Sequence, residues 1–323
     1  MNIKISENND YEKTTIKDIY CSEMIRLSKE DKRVYAIDAD LANSIGMGSY
    51  KKEFPSRMIN CGIQEANMIG VAAGLSATGL IPFVHTFAAF ASRRAYDQVF
   101  VSCGFSKWNV KIVGSDPGIT SAFNGATHSS FEDIGLMRNV PGITIIEASD
   151  CTMFENLLYQ IKDTYGLYYI RLVRKATKKI YNTGSEFIIG QAAHLKNGVD
   201  VTIIAEGYCV AEALKASKLL EVENIKAGVI DMFTIKPIDK QAIINACLST
   251  GAIVTAENHS IINGLGSSVA EVIGENVSVP LERVGIRDEY GEVGDIEFLA
   301  ERFGITAKDI ISAVFRALKH KKT

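Results

Sequence analysis

Short β-branched and apolar runs alternate with longer runs of helical period along nearly the whole chain of 323 residues. Val34 to Ile37, Ile81 to Val84, Val110 to Val113, Thr144 to Ile146 and Tyr168 to Leu172 read as strands. Ala66 to Thr78, Ala89 to Phe105 and a segment opened by a Thr152-x-x-Glu155 capping box read as helices. After the basic, turn-rich stretch Arg174 to Gly184 the pattern restarts: strand Val201 to Ala205, helix Val210 to Val222, strand Ala227 to Asp231, a helix after Pro237, strand Ala252 to Thr255, and a helix from about Ala307 to Lys319 capped by Thr306. Such alternation predicts an α/β chain of two doubly wound units, each a parallel sheet covered by helices on both faces. The boundary falls near residue 185, giving units 1–185 and 186–323.

One stretch needs a membrane check, because no Asp, Glu, Lys or Arg occurs between Glu65 and Arg93. A span needs about 20 apolar residues. Gly79 and Pro82 interrupt this one, and Asn67, Ser76, Thr78, His85 and Thr86 make it polar, so helix, turn and buried strand is the reading. The net charge of −3 gives no general attraction for nucleic acid or anionic membrane. The lysines at the C-terminal tip, Lys319, Lys321 and Lys322, read as a solvated tail. Six scattered cysteines form no C-x-x-C pair and no zinc spacing, as expected of reduced thiols. The polar, acidic first ten residues lack a cationic and then apolar leader, which predicts a cytoplasmic chain.

Within the first unit, Ile59 to Leu75 reads as a short strand feeding a small-residue helix, with a single carboxylate, Glu65, at the junction. A buried carboxylate is unfavourable by several kcal/mol unless it is hydrogen-bonded or neutralised. No neighbour in sequence can do this, so the acid reads as reserved for a ligand. Phe87 and Phe90 lie one helical turn apart at a strand-to-helix junction, where they form either ordinary core or a platform for a flat heteroaromatic ring. Arg93 and Arg94 close that segment, with Asp97 placed for a helical ion pair to either.

Gly114 to His128 is a long glycine-rich loop after a predicted central strand, ending before a helix begun by Phe131. Loops at the carboxyl ends of parallel strands are where open α/β sheets bind ligands. His128, with Thr127 and Asp133 beside it, is either solvated or a substrate contact. Arg171 and Arg174 read as cationic forks for a hydroxylated or anionic substrate, or as surface ion pairs. No G-x-x-x-x-G-K-[ST], no G-x-G-x-x-G after a strand and no G-x-S-x-G is present. Gly264-Leu-Gly266 reads as a glycine turn entering a helix for packing reasons.

Eight short motifs in order extend the picture. They are Gly62-Ile-Gln-Glu-Ala-Asn-Met, Thr86-Phe-Ala-Ala-Phe, Arg94-Ala-Tyr-Asp-Gln, Gly125-Ala-Thr-His128-x-x-x-Glu-Asp133, Met137-Arg-x-x-Pro141, Tyr169-Ile-Arg-x-x-Arg174, Phe233-Thr-Ile-Lys-Pro237 and Glu257-x-His259. Together they resemble the C-terminal half of transketolase, from about Asp38 to the end. The resemblance implies a pyrimidine-binding domain followed by a transketolase C-terminal domain. Family members hold magnesium and a diphosphate through a Gly-Asp-Gly motif and a later Asn on a separate domain, and no Gly-Asp-Gly occurs here. The resemblance therefore implies one subunit of a split, thiamine-diphosphate-dependent transketolase in which a partner supplies the diphosphate and Mg2+ site, in an assembly of two plus two chains.

By the same resemblance Glu65 matches the glutamate that hydrogen-bonds the aminopyrimidine ring, Phe87 and Phe90 the ring-stacking positions, and Asp40 an acid near the cofactor. Arg93 joins the cofactor contacts. Ser44 and Arg174 match substrate phosphate contacts, His128 the contact to the ketose head group, and Asp116 and Asn124 fall among the substrate positions. Two departures stand out: Asp116 occupies the place of a phosphate-binding histidine, and Phe123 and Asn124 replace an acidic pair before Gly125. An aspartate repels phosphate, which raises a modified, sulfonated or branched sugar as donor. The alternatives are the beta subunit of a 2-oxo acid dehydrogenase, a deoxyxylulose phosphate synthase, which normally keeps all domains in one chain, and a non-catalytic interaction subunit that keeps the fold.

Overall fold

The structure is a computed structural model describing residues 1–8 and 10–321; Asn9, Lys322 and Thr323 lie outside the described residues. The first half runs α1 (Ile16–Glu30), β1 (Val34–Asp38), α2 (Gly48–Glu53), β2 (Met58–Asn60), α3 (Glu65–Ala77), β3 (Ile81–Phe87), α4 (Ala88–Arg93) and α5 (Tyr96–Gln98). A π-helical turn, Val99–Phe105, leads to β4 (Lys111–Ser115), α6 (Asp133–Arg138), β5 (Thr144–Glu147), α7 (Cys151–Asp163) and β6 (Tyr168–Leu172). The second half runs β7 (Ala193–Lys196), β8 (Val201–Ala205), α8 (Tyr208–Leu220), β9 (Ala227–Asp231), β10 (Thr234–Lys236), α9 (Lys240–Thr250), β11 (Ile253–Ser260), α10 (Leu265–Asn276), β12 (Leu281–Ile286), α11 (Ile296–Arg302) and α12 (Ala307–His320).

Two sheets result, in the orders β10-β5-β6-β4-β3-β1-β2 and β12-β11-β8-β9-β7. Pairing is parallel except at the edges, where β10 and β7 run antiparallel to β5 and β9. The two faces of the first sheet read directly off alternate side chains. In β3, Phe83 packs into the core built with Tyr20 and Met24 of α1 and Phe154 of α7, while Val84 packs with Met68 of α3 and Ala91 of α4. The first of these cores continues without a break into the second half, through Phe233, Leu195 and Val210.

The α/β class and every predicted strand are present, with shifts of one to a few residues at most ends. Four expectations need correction. The helix expected over Ala89 to Phe105 is three pieces, because the chain leaves α-helical geometry at Ala95 and again in the π-helical turn. Helix α7 is capped by Asp150, not by Thr152: Asp150 accepts from Met153 N at 2.9 Å, and Thr152 Oγ1 instead donates to Tyr181 O at 3.2 Å. Phe131 precedes α6 rather than starting it, since the helix begins at Asp133. In the C-terminal tip, Lys321 is not simply solvated, for its Nζ donates to Asp200 O at 3.0 Å; Lys322 lies outside the described residues. Not foreseen were α1, opened by its own Thr15/Asp18 capping box, and β10, a strand of the second half that completes the first sheet.

One buried guanidinium ties the halves together. Arg171 of β6 donates from Nε to Asp133 Oδ2 at 2.8 Å and from Nη2 to Asp133 Oδ1 at 3.0 Å, pairs through Nη1 with Glu147, and reaches Asn258 O in β11 at 3.0 Å. Glu206, just past β8, lies 3.8 Å from Nη1. Arg171 is thus an internal linchpin and neither a substrate fork nor a surface ion pair. His259 accepts from Gly135 N at 3.2 Å and faces Ser260 O with its other nitrogen, which fixes it as neutral. Glu257 accepts from Gly266 N at 2.9 Å, and a Cβ at Gly264 or Gly266 would collide with its carboxylate, so the glycine turn serves packing here.

This cluster holds more carboxylates than one cation can neutralise. Burial pushes Glu147 and Glu206 up and Glu257 up to about 8, whereas the Arg171 cation, helped by the Tyr169 hydrogen bond, outweighs burial at Asp133 and holds it low. Burial brings His259 down to about 4. A carboxyl with a raised folded pKa binds a proton in the native state that the unfolded chain releases, so its contribution is lost as pH rises from the ordinary carboxylate range to about 8. The depressed histidine works in the opposite direction, but only below about 6.5. Between pH 6.5 and 8 the melting temperature of Glu257→Gln should therefore fall less, or rise more, than that of the wild type; an identical slope in the variant would contradict this account.

Candidate functional site

The candidate residues come from the segments, loop or first helical turns, that follow the carboxyl ends of five neighbouring strands. Asp40 and Ser44 follow β1, Glu65 follows β2, Phe90, Arg93 and Arg94 follow β3, Asp116 to His128 follow β4, and Arg174 follows β6. Phe87 is the last residue of β3 itself. This is the end of an open parallel sheet where ligands bind.

Glu65 opens α3 and is 4 % exposed. Its charge is not left for a ligand alone: Arg94 Nη1 donates to Glu65 Oε1 at 3.0 Å. The partner comes from 29 residues further on, so proximity in sequence could not reveal it. The same guanidinium lies 3.8 Å from the centroid of the Phe90 ring. Neither Arg93 nor Arg94 is paired with Asp97. The donors of Arg93 go to Glu132, to Ser129 O at 2.6 Å and to Thr127 O at 3.5 Å, so this arginine braces the loop that carries His128.

Phe87 and Phe90 meet edge-on at 5.6 Å and 78° rather than as parallel plates. His128 packs against both, at 5.2 and 5.0 Å between ring centroids, with Thr127 Oγ1 on its Nδ1 at 2.9 Å. Partial burial, then the Arg94 and Arg174 cations, hold the imidazole below its ordinary pKa. Asp133 does not assist it, being committed to Arg171 and to Tyr169 OH at 2.8 Å.

Arg174 is the hub of the far wall. Its Nε and Nη2 pair with Asp116, its Nη1 with Ser44 Oγ, its backbone N donates to Asp116 Oδ1 at 3.1 Å, and its plane lies 4.7 Å over Phe87. Asp116 is 2 % exposed and takes a φ of 51° immediately after β4. Burial raises its pKa against the opposing pull of Arg174. Its charge therefore faces a guanidinium, which corrects the expectation of an aspartate repelling substrate directly. Asp40, at φ 66°, accepts from Asn60 Nδ2 at 3.0 Å and so joins the β1 loop to the end of β2. Asn124 is exposed, and among the described residues no side-chain hydrogen bond ties it to this cluster.

Residues that no local signal marked hold the loop after β4 in place. Asn258 of β11 accepts from Ile119 N at 2.9 Å and donates to Pro117 O at 3.1 Å, and a Cβ on Gly118, whose φ is 60°, would strike it. The Glu257-x-His259 motif points to this strand but passes over the residue between them. Among the described residues no three His, Cys, Asp or Glu side chains converge as a metal site, and no helix is long and apolar enough to cross a membrane.

Two family models match the chain: the transketolase pyrimidine binding domain over residues 12–179 and the transketolase C-terminal domain over residues 190–310. The chain belongs to the transketolase family. It is 47 % identical over 306 residues to the 6-deoxy-6-sulfo-D-fructose transketolase subunit SqwH of Clostridium sp. (strain MSTE9), covering 95 % of each chain. It is 36 % identical to an apulose-4-phosphate transketolase subunit of Phocaeicola vulgatus, covering 92 % of this chain and 95 % of that one. A solved structure described as a split gene transketolase, inactive beta4 tetramer, superposes with a TM-score of 0.89 at 40 % identity over 95 % of this chain and 99 % of that one. The chain spans 48 % of the mouse transketolase-like protein 2, at 36 % identity.

The cations around His128 give a direct check. Its imidazole should titrate below the ordinary histidine range when followed by NMR, and Arg94→Gln should move the midpoint upward. An unmoved midpoint would remove Arg94 from the electrostatics of this ring.

Proposed function

We propose that this chain is the subunit of a split, thiamine-diphosphate-dependent transketolase that holds the pyrimidine end of the cofactor and transfers a two-carbon ketol unit from a ketose to an aldose. The observation that carries this reading is the seat made by Glu65, Arg94 and Phe90. A flat group, the guanidinium, stacks on an aromatic ring while donating an N–H to a buried carboxylate. An aminopyrimidine is equally planar and offers an N–H at its exocyclic amine, or at a ring nitrogen in the imino tautomer, so the residues fit that ring. Arg94, whose side chain is half exposed, can yield the place to it.

Thiamine diphosphate, when bound, supplies the electron sink that lets the carbon–carbon bond beside a ketose carbonyl break. Glu65, at the head of α3, would accept that N–H, and its burial would strengthen the bond. Phe87 and Phe90 exclude water along one side of the seat, and Asp40, tied to Asn60 on the β1 loop, is assigned to the cofactor contacts. Arg93 acts on the site through the loop that it braces. His128 offers a neutral imidazole to the ketose head group, consistent with its lowered pKa. Ser44, Arg174, Asp116 and Asn124 are assigned to the far end of the sugar, which carries an anionic group. Residues 1–185 act as the pyrimidine-binding unit and 186–323 as the C-terminal unit.

The diphosphate and Mg2+ are assigned to an N-terminal partner subunit, with two copies of each chain in a cytoplasmic assembly. The description of a structural relative as an inactive beta4 tetramer supports the expectation that this chain alone does not turn over. Ketol transfer should be absent from the purified chain and present after mixing with a partner that carries Gly-Asp-Gly; activity of the chain alone would exclude the split arrangement. In the assembled enzyme, Glu65→Ala should lower kcat by about 10³-fold or more, and near-normal turnover would exclude the role given to this acid.

A further inference from the structure

Resting on the assignment of Arg174 and Ser44 to the anionic end of the sugar, we propose that Asp116 sets the charge that this end must carry, selecting a monoanionic sulfonate over a dianionic phosphate ester. Arg174 would, unpaired, present a full positive charge. Here two of its three nitrogens face the Asp116 carboxylate and the third faces Ser44. The pair is held rigidly, since Asp116 also accepts from the Arg174 backbone N, is almost fully buried, and sits on a backbone turn clamped by Asn258 through Pro117 and Ile119. What reaches the sugar is a set of N–H and O–H donors with the cation already balanced.

A sulfonate keeps a single negative charge at every working pH. A phosphate monoester loses its second proton near pH 6 and carries almost two charges above pH 7. Three oxygens in tetrahedral geometry are common to both, so shape and donor count do not separate them. The extra charge does, because it meets a guanidinium that is already in contact with an anion. The other charged or titratable groups facing this pair are Lys175, which lies over the Phe123 ring at 5.5 Å, and His128. Both act on the two anions alike until the phosphate takes its second charge. Asp116 is a positioning and selecting residue, since it acts on substrate through Arg174.

The test compares 6-deoxy-6-sulfofructose with fructose 6-phosphate as donors to the assembled enzyme between pH 5.5 and 8. The sulfonate reports every pH effect except ionisation of the substrate. The wild type should favour the sulfonate, with the ratio of kcat/KM values increasing about tenfold as the phosphate becomes a dianion. Asp116→Asn retains the tolerance for positive φ and removes the charge; it should cut the preference about tenfold and flatten its pH dependence. A ratio unmoved by the substitution, or flat with pH in the wild type, would overturn the proposal. Should Asp116→Asn fail to fold, Asp116→Ser and the wild-type pH profile decide by the same criteria. Ser44, Asp116 and Arg174 all belong to this chain, so calorimetric titration of the full chain with the two sugars over the same pH range reads the preference without turnover. Absence of ketol transfer from any donor, uncharged xylulose included, would defeat the transketolase reading, while the calorimetric ratio would still pass or fail Asp116.

Discussion

The Arg171 guanidinium is the constraint on which the rest of this molecule depends. It sits fully buried in the sixth strand of the first sheet, and every partner it has comes from a different element: Asp133 from the helix after the long β4 loop, Glu147 from the neighbouring strand, Glu206 and the Asn258 carbonyl from the second sheet. Removing a charge from the middle of such a set would leave several buried carboxylates without a cation, which is far more destabilising than losing any one of the bonds. Both halves of the chain must therefore be folded for either to satisfy its polar groups. That dependence explains why the core has no seam between the two sheets and why a strand of the second half, Thr234–Lys236, completes the first.

Much of this was legible from residues alone. Buried parallel strands announce themselves as short, largely apolar runs between turn residues, and Val201 to Ala205, Ala227 to Asp231 and Tyr168 to Leu172 begin and end in the structure where those runs do. The edge strands Ala193–Lys196 and Thr234–Lys236 are short, antiparallel and partly polar, so nothing in their composition separates them from loop. The helix Ile16–Glu30 carries a capping box, but its apolar stripe is diluted by charged residues on the solvent side. The break after Ala88–Arg93 falls at a point that neither Gly nor Pro marks.

At the strand ends, which polar and aromatic residues stand there was readable and their pairings were not. Glu65, Phe87, Phe90, His128 and Arg174 stand out by residue type at strand ends, a local property. Which cation meets which anion depends on the order of strands in the sheet, and that order brings together Glu65 with Arg94, Arg93 with Glu132, and Asp116 with Arg174. Taken alone, Arg174 reads as a free fork and Arg93 and Arg94 as partners of Asp97. In the folded chain all three are matched, so the mouth of the site is rich in donors and poor in net charge.

The amide of Asn258 is held at both ends. With its oxygen on one backbone N–H and its nitrogen on a backbone carbonyl, it cannot rotate without breaking both, so it acts as a rivet between a parallel strand of the second sheet and the turn that follows the central strand of the first. Any tilt of the C-terminal half relative to its neighbour is thereby transmitted as a displacement of the Asp116 turn. Swivelling of the halves and the alignment of the Asp116–Arg174 pair are in this way mechanically one degree of freedom.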